Sequence, residues 1–460
     1  MTAASLEPDT TALVGRRLNL LDRAFLTLDG RDQPIVTLAL DCEGPPPTAE
    51  LLIRRVTDRL ALAPALHTDL ASVAKRVLRI DVTDIDDETD CIVRSPFDLA
   101  SDSPPWNIRL ITRSGSGTFF RVCLSVHHGL LDGVGATHAL ATLLPDVPSQ
   151  GARLHTADRP GTRSMARALR DMVAALAHRS AWIPPPASSR HGGRCSAHRD
   201  VPVSTLRALA DSHGTSLNDV SLAALGVALA ASQQQGTPTQ SRHDVVAGIP
   251  VSTRTTEERH HAGNLVGVYR LTFPHRIGSL EEAIKDIRTQ IAKVRDLQLR
   301  DAYRKLGKPS AARLGVRATR SMLTPRSTPL VVSSVSFLEE FTVFGAELRA
   351  ASMLLNVFDD FPAYVSFTRT PDNVRCTSVA DEARSSLLGR VSKVASSARR
   401  AGPAVSGACD RKAEGRPDTG CIGVIPTTRR ACVPGAAGQT GLSKHALDLP
   451  EHWAEILRRA

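Results

Sequence analysis

Apolar residues fall into two recurring patterns along this chain, short continuous runs and helical stripes, and the two alternate. Residues 119–126, with Phe119, Phe120, Val122, Leu124 and Val126, read as a buried or half-buried strand, and 35–40 read likewise. Further strands are expected at 108–111, 245–250, 266–273, 330–337 and 363–368. The stripes predict helices. Thr48 follows three prolines and can cap a helix to about residue 61, and 136–144 reads as another. Residues 165–176 carry Leu169, Met172, Val173 and Leu176 on one face. A helix over 203–211 stops at Gly214, and Ser216 with Asp219 in a capping-box arrangement opens a helix to about 231. That helix is apolar almost all round, so it should be buried. Ser279 and Glu282 open a long amphipathic helix with Leu280, Ile284, Ile287, Ile291 and Val294 stepping by four and three. A last helix is expected to end by Arg400.

Alternating strands and helices place the chain in the α/β class, and 460 residues suit two lobes rather than one core. The breaker-rich stretch from Pro184-Pro185-Pro186 to Gly192-Gly193 marks a linker. The expected division is a first lobe over 1–182, a linker over 183–195, a second lobe over 196–400 and a tail over 401–460. In that tail Gly, Ala, Pro, Arg and three cysteines replace patterned apolar residues, so it is expected to be disordered or loosely attached, with a short helix at 450–457 at most.

Composition adds bounds. Hydrophobic residues make up 42% and charged residues 23%, ordinary for a globular protein, and no run approaches the ~18–20 apolar residues of a spanning helix. The first residues lack a basic stretch followed by an apolar core, so no secretory signal is expected. Eight scattered cysteines without a CxxC pair point to a reduced, cytoplasmic setting. A net charge of +10 fits nucleic acid, an anionic membrane surface or a polyanionic cosubstrate such as coenzyme A. Aromatics at 4% offer no stacking platform, which argues against nucleic acid.

The chemistry concentrates at Val126-His127-His128-Gly129-Leu130-Leu131-Asp132-Gly133, where a strand gives way to a helix. Successive strand side chains point to opposite faces, so one imidazole can serve a cleft while the other packs behind it. Glycines 129, 133 and 135 let backbone and substrate come close. The divergence of the two rings, with no third ligand nearby, opposes a metal site. A second pair, His260-His261, follows no apolar strand and precedes no Asp-Gly, and reads as a polar loop.

The pattern His127-His128-x-x-x-Asp132-Gly133 resembles the signature of the coenzyme A-dependent acyltransferase superfamily. That superfamily includes chloramphenicol acetyltransferase, peptide-synthetase condensation domains and the bacterial wax ester synthase/diacylglycerol acyltransferases. Other stretches resemble the last branch in order: Leu20-Leu21-Asp22-Arg23-Ala24-Phe25, Pro104-Pro105-Trp106, Asn218-Asp219-Val220, the stretch from Ile249 to Arg254, and Gly263-Asn264. Two features depart from it. Pro105 stands where the branch has leucine, and Ser333-Ser334-Val335-Ser336-Phe337 stands where it has a Ser/Thr-Asn-Val-Pro-Gly-Pro turn.

The resemblance implies two chloramphenicol-acetyltransferase-like lobes enclosing a tunnel. It implies His128 as general base, His127 and Asp132 with Gly133 as its structural support, and Arg254 among the arginines able to pair with Asp132. Trp106, Asn218, Asp219, Ser252 and Asn264 are candidates for the substrate tunnel. Trp106 is more often a core anchor than a substrate contact, and Asn218-Asp219 more often cap a helix than face a tunnel. Acyl-CoA is the implied cosubstrate, with no resident cofactor, and the acceptor is diacylglycerol or a long-chain alcohol. A condensation-type or tailoring acyltransferase acting on a polyketide, a peptide or a carrier-bound thioester, or an inactive binding homologue, are the other readings. The basic charge adds an expectation of peripheral contact with the inner membrane or lipid droplets for a cytoplasmic protein.

Overall fold

A computed structural model describes residues 19–381 and 444–460, apart from 29, 100–103, 116, 150, 152–153, 155–158, 181–193, 235–242, 297, 307–320, 322–323, 325 and 357–362. Strands β1 (Ile35–Glu43), β2 (Val77–Val82), β3 (Trp106–Arg113) and β4 (Phe119–His127) come from the first part of the chain. They are followed by β5 (Arg194–Pro202), β6 (Val245–Ser252), β7 (Val266–Phe273) and β8 (Leu330–Ser336). The last are β9 (Thr342–Val343), β10 (Ala346–Leu355), β11 (Ala363–Arg369) and β12 (Asn373–Asp381).

Two six-stranded sheets result, with orders β2-β3-β4-β1-β10-β9 and β5-β12-β11-β8-β6-β7. Both are mixed. β2 runs parallel to β3, β8 runs parallel to β6 and β11, and the other named pairs are antiparallel. β1 and β4 sit centrally, and nearly all their residues are buried, which explains why they read as unbroken apolar runs rather than alternating ones. Capping follows the sequence. Thr48 accepts from Leu51 N–H at the start of the helix Ala49–Arg59, and Ser216 accepts from Asp219 N–H at the start of Leu217–Gln234. The helix after the histidines begins a turn earlier than its apolar residues suggest, at Gly133–Leu143, because Asp132 caps it through Gly135 N–H.

The sheets do not respect the expected lobe boundaries. β9 and β10, far along the chain, complete the first sheet, with β10 lying against β1. The helix Thr162–Ala177 precedes the linker, yet its buried Ala168 belongs to the second core. Arg194 and Cys195, assigned to the linker, already belong to β5.

The expectation of a loose tail also needs correction. A helix, Lys444–Arg459, packs on the second lobe through buried Leu449, Trp453, Ala454 and Leu457, four residues apart at the main positions. Trp453 Nε1 donates to Ser221 O at 3.1 Å, and its ring lies 5.4 Å from that of Phe367. Positions 382–443, including the helix expected to end by Arg400, lie outside the described residues, as do 183–193 of the linker.

A charged cluster joins the lobes at the far end of β1. Asp41 receives Arg121 Nε at 2.5 Å and Arg375 Nη1 at 2.6 Å, while Arg375 also meets Asp200 and Arg121 meets Asp86. Burial acts to raise the Asp41 pKa, but the two guanidinium groups overcome it and hold the carboxyl at about 2. Nearby, Asp90 accepts from Ser196 N at 3.0 Å and Ser196 Oγ at 2.6 Å, and burial raises its pKa to about 6.

Candidate active site

β4 ends at His127, opposite Ile35 of β1. His127 N–H donates to Pro105 O at 2.9 Å and His128 N–H to Pro34 O at 2.7 Å, which fixes the backbone of both histidines. Alternation then separates the rings. His127 is fully buried, and its Nδ1 accepts Gly129 N–H at 3.0 Å, so its proton resides on Nε2. Burial, reinforced by His128, pushes its pKa down to about 3, so it is neutral. A side chain at Gly129 would place its Cβ 2.8 Å from Leu26 and 3.1 Å from His127 Nδ1, so only glycine closes this turn.

His128 turns the other way, onto a cavity of about 720 Å³, within the usual range for small-molecule sites. Both lobes line it. Leu20, Phe25, Val36, Met353 and Leu355 contribute apolar surface, and Arg270 and Lys293 contribute positive charge. The Phe25 ring lies 4.5 Å from the imidazole. His128 Nδ1 is sealed from solvent without a well-formed hydrogen bond. Burial lowers the His128 pKa from its ordinary value; its own carbonyl, Asp132, the Asn264 amide and Asp22 act against that.

Asp132 lies beneath the loop, fully buried. Its Oδ1 accepts Gly135 N–H at 2.6 Å, and its Oδ2 accepts Leu265 N–H at 2.8 Å and Arg254 Nη2 at 2.9 Å. Burial alone would raise its pKa, but Arg254 and these N–H groups hold it below the ordinary range. Arg254 also donates to Glu258 O, His261 O and Gly263 O. The second histidine pair therefore sits in a loop whose carbonyls surround this arginine. A Cβ at Gly135 would stand 2.9 Å from Arg254 Nη2, so the helix can approach the ion pair only as glycine. Gly263 N–H reaches Leu130 O at 2.5 Å, clamping the second-lobe segment to the histidine loop.

Of the remaining residues singled out by sequence, Gly133, Ser252 and Asn264 line the cavity with His128 and Asp132. Three do not. Trp106 is fully buried in the first core, with the Arg76 guanidinium 5.5 Å from its ring, because β3 turns that side chain away from the cavity. Asn218 and Asp219 open a helix beside the cavity rather than in its wall. Asn218 Oδ1 accepts from Ser334 Oγ at 2.7 Å, and Asp219 Oδ2 accepts from Thr215 Oγ1 at 2.9 Å with Arg295 at 3.7 Å. Ser333, Ser334 and Val335 do line the cavity, but within strand β8 and not in a turn.

Sequence reasoning missed Asp22 as a site residue. It is fully buried in the helix Leu20–Leu26, where it forms a capping box with Asn19. Its Oδ1 accepts both Asn264 N at 2.7 Å and Asn264 Nδ2 at 2.8 Å. Asn264 Nδ2 donates in turn to His128 O at 2.6 Å. In the sequence Asp22 stands only within the Leu20–Phe25 stretch, and nothing local reveals its distant partner.

No family profile matches the chain, and no curated protein sequence matches it. Solved structures do. The wax ester synthase/diacylglycerol acyltransferase from Marinobacter aquaeolei VT8 superposes with a TM-score of 0.51 at 18% identity, covering 79% of this chain and 93% of that one. The first condensation domain of the CDA synthetase gives 0.50 at 17% identity, covering 78% and 88%. A starter condensation domain of rhizomide synthetase, in complex with C8-CoA, gives 0.51 at 16% identity, covering 79% and 89%. The chain thus has the two-lobed fold of wax ester synthase and condensation-domain acyltransferases.

Proposed function

We propose that the protein is an acyl-CoA-dependent O-acyltransferase that esterifies diacylglycerol or a long-chain alcohol, with His128 as general base. The observation that carries this reading is a half-buried imidazole, sealed at Nδ1, on the wall of a largely apolar cavity shared by both lobes. Burial keeps that ring neutral at physiological pH, the state in which it accepts a proton.

In the reaction, the acceptor hydroxyl attacks the thioester carbonyl while Nε2 of His128 takes its proton. The carbon–oxygen bond forms, the carbon–sulfur bond breaks, and the imidazolium returns the proton to the departing thiolate. No acyl-enzyme is needed. Asp132 and Arg254 hold the loop and His127 backs it; neither role requires contact with substrate. The apolar lining suits hydrocarbon chains, and Arg270 and Lys293, which have no acidic partner among the described residues, suit the phosphates of a coenzyme A donor.

A second reading keeps the chemistry and changes the acceptor to an amine or hydroxyl on a carrier-bound thioester. It is favoured by the serine-rich β8 wall at Ser333–Ser334 and by equal likeness to condensation domains. Radiolabelled palmitoyl-CoA offered with dioleoylglycerol, hexadecanol or an aminoacyl thioester separates the two. Triacylglycerol or wax ester is expected; product only with the third acceptor selects the second reading, and no acyl transfer to any of them removes both. The net charge of +10 supports docking on anionic lipid surfaces, where such acceptors reside. Cosedimentation with anionic vesicles should then weaken as salt rises.

A further inference from the structure

β7 is the last strand of the second sheet, and its hydrogen bonds show which of its backbone groups face outward. Thr272 N–H donates to Gln290 Oε1 at 2.9 Å, and Thr272 O accepts Gln290 Nε2 at 2.9 Å, so Thr272 turns away from β6. Leu265 O, before the strand begins, accepts Thr253 N–H at 2.7 Å and so faces the β6 side. Backbone groups of an antiparallel strand alternate by residue, which sets Val266, Val268 and Arg270 outward with Thr272. Among the described residues, no strand or side chain answers the backbone groups of those three. Positions 266–270 all line the cavity, together with Gln290 and Lys293. Neighbouring strand side chains point to opposite faces, so a cavity that touches both sets reaches around the edge itself. Unmet N–H and C=O groups along a cavity form a template for a chain that carries amides.

We propose that the free edge of β7 binds the pantetheine arm of the thioester donor as an added strand. This rests on the donor being a pantetheine thioester, as the acyl-transfer reading requires. The middle of that arm, a β-alanine unit, is flanked by one amide N–H and one amide C=O, as an amino-acid residue is. It can therefore meet Val268 as the Gln290 amide meets Thr272. The lengths agree. Along an extended arm the sulfur stands about 6 Å from this unit and the nearer phosphorus about 8 Å. Val266 and Arg270 each lie about 7 Å along the strand from Val268. The Val266 end adjoins the histidine loop, where Asn264 Nδ2 donates to His128 O at 2.6 Å. At the other end stand Arg270 and, about one turn past Gln290 on the helix Leu280–Asp296, Lys293, whose positive charges suit the phosphate. The strand thus delivers the sulfur towards the imidazole, and main chain rather than side chains recognises the arm. Coenzyme A and a carrier protein both hold this arm, and the edge reads what they share.

The test sets the octanoyl thioester of pantetheine against that of 2-mercaptoethanol, which carries no amide. Calorimetry on the wild type should show the pantetheine ester bound ~5–100-fold more tightly, as two added hydrogen bonds imply. Amide hydrogen exchange at Val268 should slow with the pantetheine ester and not with the amide-free one. Val268→Pro removes the outward N–H, and an edge strand tolerates proline there because no ladder bond is lost. It should cut the preference by ~2–10-fold and leave binding of the amide-free ester unchanged, while Val268→Ala, which retains the N–H, keeps the preference. Absent or equal binding of the two esters by the wild type, or unslowed exchange at Val268, overturns the proposal without any variant having to fold. A Val268→Pro protein that keeps the full preference, or loses both esters alike, overturns it too. Acyl transfer without the preference leaves the reaction standing and removes the edge site; the preference without acyl transfer does the reverse. Octanoyl-CoA against an octanoyl carrier protein then distinguishes the two sources of the arm, and Val268→Pro should weaken whichever is bound.

Discussion

Around His128 the polar groups at the lobe interface are incompletely satisfied, whereas at the opposite end of β1 they are satisfied throughout. The two regions lie about 20 Å apart along that strand. In the distant cluster every guanidinium nitrogen of Arg121 and Arg375 has an acceptor, and Asp41 is shared between them. Near the cavity, His128 Nδ1 and Asn264 Oδ1 are buried without such partners. A fully paired buried cluster holds two surfaces in one register, since removing any member strands a charge. An incompletely paired one retains atoms free to engage something else. The same interface therefore performs two tasks, and they separate by position along one strand.

The sharpest way to break this contrast is a pair of substitutions. His128→Ala should cut acyl transfer by ~10²–10⁴-fold while leaving the urea midpoint close to wild type. Asp41→Ala should do the converse, costing ~3–5 kcal/mol in urea denaturation, with the folded fraction still turning over. A catalytic collapse in folded Asp41→Ala would show that the two regions are one functional unit. Smaller and subtler is the behaviour of Asp90. Its folded pKa of about 6 exceeds the 3.8 of the unfolded chain, so folding takes up a proton between those values and stability falls as pH rises through that window. Asp90→Asn should therefore raise thermal stability above about pH 6 and leave it unchanged below about pH 4. Asp41 has the opposite sign: held at about 2, it contributes stability above pH 3.8 that is lost as pH falls towards 2. Equal stabilisation by Asp90→Asn at pH 4 and pH 8 would contradict the burial of that carboxyl.

What could be read from sequence follows from how local each signal is. β1 and β4 announce themselves because both their faces are covered, and the histidine pair stands at the end of one of them. Ser216 and Thr48 declare helix starts within four residues. β10 does not: the alternation of Ala346-Glu347-Leu348-Arg349 breaks at Ala350-Ala351 and passes into the mostly apolar Ser352-Met353-Leu354-Leu355, and its partner β1 is remote in sequence. Asp22 is hidden for the same reason, since its partner Asn264 lies 242 positions away. The resemblance to acyltransferases supplied the order of motifs but not their depth. It therefore offered Trp106, Asn218 and Asp219 to the tunnel, when strand parity sends the first into the core and hydrogen bonds to Ser334 and Thr215 occupy the other two. A short helix around Trp453 was legible, but its extension back to Lys444 and its packing on the second lobe were not, because a tail rich in glycine, proline and arginine precedes it.

The position of β10 carries a consequence for how the chain is made. β1 can pair with β4 as soon as both have left the ribosome, but its other edge has no partner until Ala346–Leu355 is synthesised. With ~300 residues intervening, translation at ~5–20 residues per second leaves that edge unsatisfied for about 15–60 s. A bare, apolar strand edge invites pairing with another nascent chain. The innermost strand of the first sheet is thus the molecule's point of greatest vulnerability during biogenesis, and slowed elongation between the sheets should favour aggregates over native protein.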